Sequence, residues 1–377
     1  MEPVDPPIPP GGTSDPSTPR PRRPRYSGTH PKGFAERYKE LDPVSYPEMG
    51  EHVRVQGRTP AGTHVPVLLD EVLAALTPAP GEIVADCTIG YGGHALAMME
   101  RIGAAGRLIG LDVDEAQLRR TGERLTRAVA ARSASSPASL PCPFSVHRRH
   151  FAGLGKVMRA EGIDGFDILF ADLGVSSMQI DDPARGFSYK HDGPLDMRMD
   201  DRLVRTASDV VMSWSWVELS AALGDLADEP DHERIARRIV ERRAAVPLTR
   251  TGQLVQAVFE AKGMTRKTWR AIKAERPGEL HPAARTFQAL RMIVNDEVGG
   301  LEQFLRIAPY CLRPGGRLGV ISFHNGEDRR VDEAFREGVR CGSYEVMSGE
   351  AVQPSPAERG ANPRSRSAMF RWAKRRE

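Results

Sequence analysis

Five short apolar runs punctuate the sequence: Ile83–Cys87, Arg107–Asp112, Phe144–His147, Phe166–Leu173 and Arg317–Phe323. Each has strand length and β-branched or aromatic content, and most are followed by a turn and a stretch of helical periodicity. Strands that alternate with helices cannot close as hairpins. They pair in parallel through right-handed crossovers and bury both faces of the sheet under helices. The fold class is therefore α/β, with a Rossmann-like, mostly parallel, doubly wound sheet. Ser367–Trp372 is expected to add a final edge strand.

The alternation breaks between about Asp181 and Arg285, where the segments read as helical only. Ser215-Trp216-Val217-Glu218 is a capping-box pattern, and it opens a helix with Trp216, Leu219 and Leu223 on one face. Ile235 and Ile239 mark a second helix whose other side carries Arg234, Arg237, Arg238, Arg242 and Arg243. Pro282 opens a third, with Phe287, Leu290 and Val294 facing the core. The expected organisation is a first part of the sheet domain over 61–180, an inserted all-helical substrate-side subdomain over 181–285, and the remainder of the sheet domain with a basic C-terminal tail over 286–377. Residues 1–60 are rich in Pro, Gly, Ser, Thr and Arg without apolar periodicity. Such a composition buries too little surface to offset chain entropy, so the segment is expected to be disordered. Ser133–Pro143 reads as a shorter linker of the same kind.

Composition narrows the function classes. No run approaches the roughly 18 consecutive apolar residues of a membrane span, and no apolar segment near the N-terminus reads as a secretory signal. The four cysteines, Cys87, Cys142, Cys311 and Cys341, form no Cys-x-x-Cys pair. They fit a reducing cytoplasm rather than a disulfide scaffold or zinc ribbon. No His, Cys or acid grouping has metal-ligand spacing, so no metal is expected. Net charge is only +3, but seven basic residues and one acid lie between Arg20 and Lys39, and again between Arg359 and Glu377. Basic ends of this kind suit a polyanionic partner, because neutralised phosphates release counterions; a solvated tail has the same composition.

The chemistry-bearing motifs sit at the ends of the strands. Asp86-Cys87-Thr88-Ile89-Gly90-Tyr91-Gly92-Gly93-His94 follows the first strand and opens a helix. Its glycines permit a tight turn and close approach to a ligand at the positive end of that helix. Asp112 ends the next strand, where a carboxylate can accept both hydroxyl hydrogens of a ribose. The pair describes a nucleoside-containing cofactor. Because Gly90-x-Gly92-x-x-Ala95 also satisfies the loose dinucleotide fingerprint, a methyl donor, a nicotinamide or flavin, and a plain structural turn all stay open on these residues.

The fourth strand ends in Asp172-Leu173-Gly174-Val175-Ser176-Ser177, an acid at the carboxyl edge of the sheet. That placement suits methyl transfer to an exocyclic amine, whose lone pair is delocalised into its base. A carboxylate accepting the amine N–H localises the lone pair and aligns the nitrogen with the donor, without a covalent enzyme intermediate. An Asp that merely caps the following turn is the competing reading. Pro141-Cys142 resembles the dipeptide of cysteine-nucleophile pyrimidine methyltransferases, but it lies in the linker before the third strand, and it is set aside. Ser322-Phe323-His324 leaves the fifth strand at the same edge, with His324 open to a structural or a direct role.

Taken together, the sequence closely resembles the RsmH (MraW) family of small-subunit ribosomal RNA methyltransferases. The likeness is carried by His64–Glu71, Asp86–His94, Asp172–Ser177, Arg185-Gly186-Phe187-Ser188, Asp192–Met199, His281–Arg291, Ser322-Phe323-His324 and Asn362–Ser367. It spans residues 61 to 377. The resemblance implies a class I methyltransferase that uses S-adenosyl-L-methionine to methylate N4 of a cytidine in the decoding region of 16S ribosomal RNA. It implies cofactor contacts from Gly92, Gly93, His94, Asp112, Phe151, Asp172 and Gln179, with Phe151 near the adenine, Asp112 at the ribose and Asp172 catalytic at the methyl end. The implied partner is small-subunit RNA within an assembled or nearly assembled subunit in the cytoplasm, the enzyme being a monomer or homodimer. The readings set against it are a nicotinamide-dependent oxidoreductase and a non-catalytic ribosome assembly factor. Three stretches depart from the family pattern: Met178 for a Pro, Asn325-Gly326 for Ser-Leu, and Leu226-Ala227-Asp228-Glu229, which matches a Tyr-Gly-Glu-Glu-like quartet only at Glu229.

Overall fold

The computed structural model describes residues 66–135 and 142–377. The expectation for residues 1–60, and most of that for Ser133–Pro143, falls outside these residues.

Seven strands form one sheet: β1 (Ile83–Asp86), β2 (Arg107–Asp112), β3 (Phe144–Arg148), β4 (Phe166–Asp172), β5 (Leu312–Ser322), β6 (Tyr344–Met347) and β7 (Met369–Arg375). Their order is β3-β2-β1-β4-β5-β7-β6. The first five pair in parallel, whereas β7 runs antiparallel to both β5 and β6. The strand order reverses next to β1, so β1 and β4 part their loops there and open a crevice at their carboxyl ends. This is the doubly wound class that the strand–helix rhythm predicts.

Helices α1 (Leu69–Leu76), α2 (Gly93–Ile102), α3 (Glu115–Ser135) and α4 (Leu154–Ala160) accompany the first half of the sheet. After β4 come α5 (Ser177–Asp181), α6 (Ala207–Ser213), α7 (Trp216–Ala227), α8 (His232–Ala245), α9 (Thr251–Ala261), α10 (Arg266–Glu275), α11 (Ala284–Asn295) and α12 (Glu297–Cys311). Helices α13 (Asn325–Arg340) and α14 (Pro356–Ala361) complete the chain. Helices α6 to α11 share an apolar core of their own, from Phe187 through Leu219, Ile235 and Val258 to Leu290 and Val294. Two further cores lie on the opposite faces of the sheet. One is built on Leu169, Phe304 and Phe335, the other on Leu68, Ile168 and Phe370. The helical core thus runs to Val294, past residue 285, because α11 presents one side to α7.

Three local expectations change. The Ser215 capping box is present, with Glu218 accepting the Ser215 N–H, and Leu219 and Leu223 are buried. Trp216, however, is 38% exposed and lies under the Arg237 guanidinium at 4.2 Å, since the first turn of α7 projects beyond the core. The last strand is internal: β6 is the edge, and β7 is held between two neighbours. The basic residues at the C-terminus are accordingly fastened rather than trailing. Arg371 reaches Asp328 at 2.7 Å and Asp332 at 2.6 Å, and Lys374 reaches Glu345 at 3.3 Å.

Candidate active site

A cleft of about 830 Å³ lies over the carboxyl ends of β1, β2 and β4. Gly92, Gly93, His94, Asp112, Phe151, Asp172 and Gln179 all line it, so the fold brings every expected site residue to one place.

The glycine loop is shaped by close approach. Gly92 caps α2 with φ of +77°, a left-handed conformation, and a Cβ there would sit 2.8 Å from Thr121 Cγ2. A Cβ on Gly93 would meet Pro66 Cγ at 2.6 Å. The loop is tied to β2 by Asp112, whose Oδ2 accepts the Gly90 N–H at 3.0 Å while Oδ1 accepts the Asp114 N–H at 2.9 Å. Each oxygen keeps a lone pair for a ligand hydroxyl. Burial raises the Asp112 carboxyl to about 6, with the two N–H bonds opposing.

Asp172 ends β4, and its own N–H donates to Thr88 Oγ1 at 2.6 Å, which welds β4 to the glycine loop. Its Oδ1 is buried without a hydrogen-bond partner, although the side chain as a whole is 27% exposed toward the cleft. Burial, followed by the nearby Asp86 and Glu327 carboxylates, raises its pKa to about 8. Asp86, only 2% exposed, is itself raised to about 7, chiefly by burial. A buried acceptor without a donor is costly, and the side chain that carries it lines the cleft.

His94 is a strut. Its Nε2–H donates to the Val67 carbonyl at 2.9 Å, so Nδ1, 3.9 Å from Asp172 Oδ2, is the unprotonated nitrogen. Burial lowers its pKa to about 4, which keeps the ring neutral. Phe151 opens a short 3-10 turn and is wedged between His150, with ring centroids 4.1 Å apart, and Phe304, 5.4 Å away edge-on. Gln179 is used twice within the protein: its Oε1 accepts the Ser176 N–H at 2.9 Å and its Nε2 donates to Asp114 Oδ2 at 3.0 Å. It shapes the cleft wall through those bonds.

Other residues of the cleft and its walls carried no assigned role in the sequence, although Arg185 and Arg291 lie in motifs of the family likeness. Asp114 is 3% exposed in its side chain and pairs with Arg185 at 2.7 Å, so the Arg185–Ser188 motif clamps the insertion onto the turn after β2. Burial opposes its charge, yet Arg185 and Gln179 hold it below the usual carboxylate range. Arg148 clamps from the other side, reaching Asp200 at 3.3 Å and contacting Asp201. Gln117 lines the cleft with a buried, partnerless Oε1. At the far end, Glu327 accepts the Phe323 N–H at 3.1 Å and lies 3.0 Å from His324 Nε2, and Arg291 pairs with Glu297 at 2.8 Å. His324 caps α13, its Nδ1 accepting from the Glu327 N–H at 3.4 Å. The motif flagged His324; the buried acid three residues on is legible only once α13 places it beside Asp172.

Of the departing positions, Glu229, the retained residue, is 1% exposed and bonded to Lys262 at 2.6 Å. Asp228 adopts the left-handed conformation that ends α7. Met178 lies on the outer side of the short α5, with its Sδ 3.4 Å from Arg120 Nη1. Among the described residues, no helix is long and apolar enough to cross a membrane.

Comparison with known proteins agrees with this geometry. The profile of the MraW methylase family matches residues 61–376. Ribosomal RNA small subunit methyltransferase H 1 of Lachnoclostridium phytofermentans is 38% identical over 354 residues, which cover 93% of this chain and 92% of that protein. Ribosomal RNA small subunit methyltransferase H of Acidothermus cellulolyticus is 41% identical over 333 residues, covering 84% and 94% respectively. The match spans the glycine loop, both strand-end acids and the helical insertion in one order, which closes the nicotinamide alternative: the chain belongs to the MraW methylase family.

Proposed function

We propose that this chain methylates the N4 exocyclic amine of a cytidine in the decoding region of small-subunit ribosomal RNA, with S-adenosyl-L-methionine as donor. The observation that carries the reading is the partnerless, buried Oδ1 of Asp172 in a cleft walled by a glycine turn and a ribose-type acid. The relatives named above act, by their names, on small-subunit ribosomal RNA.

The residues present suit the donor. Asp112 retains acceptor capacity for the ribose hydroxyls, Gln117 offers an unused acceptor, and the turn at Gly92 and Gly93 lets the cofactor chain lie against backbone at the start of α2. Phe151 offers a ring to the adenine. When bound, S-adenosyl-L-methionine supplies an electrophilic methyl group on a sulfonium, which departs as a neutral thioether.

Asp172 would then accept one N–H of the amine. That bond holds the nitrogen in line and draws its lone pair out of conjugation with the ring; the proton shed after the N–C bond forms passes to the same carboxylate. Burial holds Asp172 protonated near neutral pH, and the sulfonium charge of a bound donor would favour the carboxylate form that this step requires. His94, fixed by the Val67 carbonyl, sets its neutral ring beside Asp172, 3.9 Å from Oδ2. The target base must leave its stack to reach this depth.

Nucleoside mass spectrometry of small-subunit RNA from cells lacking the protein tests the reading. Loss of N4-methylated cytidine, restored by the wild-type chain and not by Asp172→Ala, is expected. An unchanged modification profile overturns it.

A further inference from the structure

The sequence advertises one arginine-rich face, on α8, but the fold engages it internally. Arg238 and Arg242 both grip Glu260, at 2.7 and 2.6 Å, and Arg243 donates to the Val211 and Trp214 carbonyls at 2.6 Å. Arg234 faces Asp231 at 3.4 Å, and Arg237 lies on Trp216. Little of that charge is left for a polyanion.

Helix α10 is the opposite case. Arg266, Lys267, Arg270, Lys273 and Arg276 are exposed, and none makes an ion pair among the described residues. Lys273 donates to the Glu279 carbonyl at 2.9 Å and lies 6.0 Å from the centroid of the Trp269 ring. The helix buries no residue fully; it meets the protein through the half-buried Trp269 and Ile272. A helix so polar, held by so little, leaves a charged outer face turned to solvent.

Aromatic rings lie beside these charges. Tyr189 stacks on His281 with centroids 4.3 Å apart and planes 13° from parallel, and Trp269 meets His281 edge-on at 5.5 Å. Lys190 and Lys273 both lie close enough to His281 to help burial lower its pKa. Tyr189 also contacts Phe287, and the residues that follow on α11, Gln288 and Arg291, line the cleft. Phe287 and Arg291 are four residues apart on α11, about 6 Å at a rise of 1.5 Å per residue, so the aromatic cluster adjoins the cleft wall.

We propose that α10, with Lys190 and the Tyr189–Trp269 aromatic cluster, holds the phosphate backbone of the single-stranded RNA that flanks the target base. Cations interleaved with aromatic rings are the chemistry of sequence-tolerant single-strand binding. The proposal rests on the reading that the cleft methylates RNA, and it adds where the rest of the substrate lies.

The test uses the full chain carrying Lys267→Ala, Arg270→Ala and Arg276→Ala together, none of which lines the cleft. A fluorescein-labelled oligouridylate, followed by anisotropy across a salt series, is the probe. Each lost phosphate contact flattens the log–log salt slope by about 0.7, so the triple variant should lose about 2 from the slope and bind about 10- to 50-fold more weakly at physiological salt. Calorimetric affinity for S-adenosyl-L-methionine should not change. Lys267→Gln alone, which preserves the helix, should flatten the slope by about 0.7. Arg270→Lys with Arg276→Lys should restore it. An unchanged slope and affinity in the triple variant overturns the proposal. So does normal oligouridylate binding combined with lost capture by intact subunits, which would make α10 a dock for a ribosomal protein. A wild-type chain that binds the probe through α10 yet methylates no subunit RNA would refute the reading of the cleft and leave this surface standing.

Discussion

Replacing Asp172 with Asn separates stability from catalysis. The folded carboxyl titrates at about 8 against an ordinary 3.8, so between those values the native state binds a proton that the unfolded chain does not. The unfolded chain is then favoured as pH rises. The penalty is absent below about pH 4, grows through the window from 4 to 8, and is complete above it. At pH 7 the shift corresponds to a ceiling of about 4 kcal/mol, at 1.36 kcal/mol per pH unit. The side chain is 27% exposed to the cleft, and solvent there screens Asp86 and Glu327, so about 2 kcal/mol is the working figure. Asn keeps the shape and carries no charge. Asp172→Asn should therefore raise the melting temperature at pH 7 by about 4–8 °C, and by almost nothing near pH 4. Its amide cannot take the proton of the reacting amine, so the methyl-transfer rate should fall at least about 100-fold. Scanning calorimetry over a pH series and a labelled-methyl assay on undermethylated subunits read the two effects. A variant that is no more stable at pH 8 than at pH 4, relative to wild type, refutes the electrostatic argument. Wild-type transfer refutes the chemical one.

Asp112→Ala should weaken S-adenosyl-L-methionine binding by about 10- to 100-fold, the worth of hydrogen bonds to a charged group, while the rate at saturating cofactor stays within a few-fold. Calorimetric titration checks this, and an unchanged affinity would remove Asp112 from the ribose. Lys262→Met strands the buried Glu229 without its cation and should cost about 3 kcal/mol in urea denaturation; adding Glu229→Gln should recover most of that. A double variant no more stable than the single would show that Lys262 acts through packing instead.

Much of this protein is written in local chemistry. Short apolar runs of strand length and the glycine turn depend on neighbours a few residues away, so strands β1 to β5, the crevice at their carboxyl ends, and the positions of Asp112 and Asp172 follow from the chain read in order. The capping box at Ser215 is equally local, and it is present in the structure. Pairings between distant residues are another matter. That β7 inserts between β5 and β6, that Arg185 locks Asp114, and that Glu327 and Asp86 crowd Asp172 are contacts across 26 to 155 residues, with no periodicity to announce them. Charge was the least legible of all. The arginines of α8 and those of α10 look alike in sequence, but only the tertiary structure brings Glu260 and two backbone carbonyls to the first set and leaves the second facing water. An ion pair forms where the fold places its partner, whereas a strand or a turn is largely specified by the residues that make it.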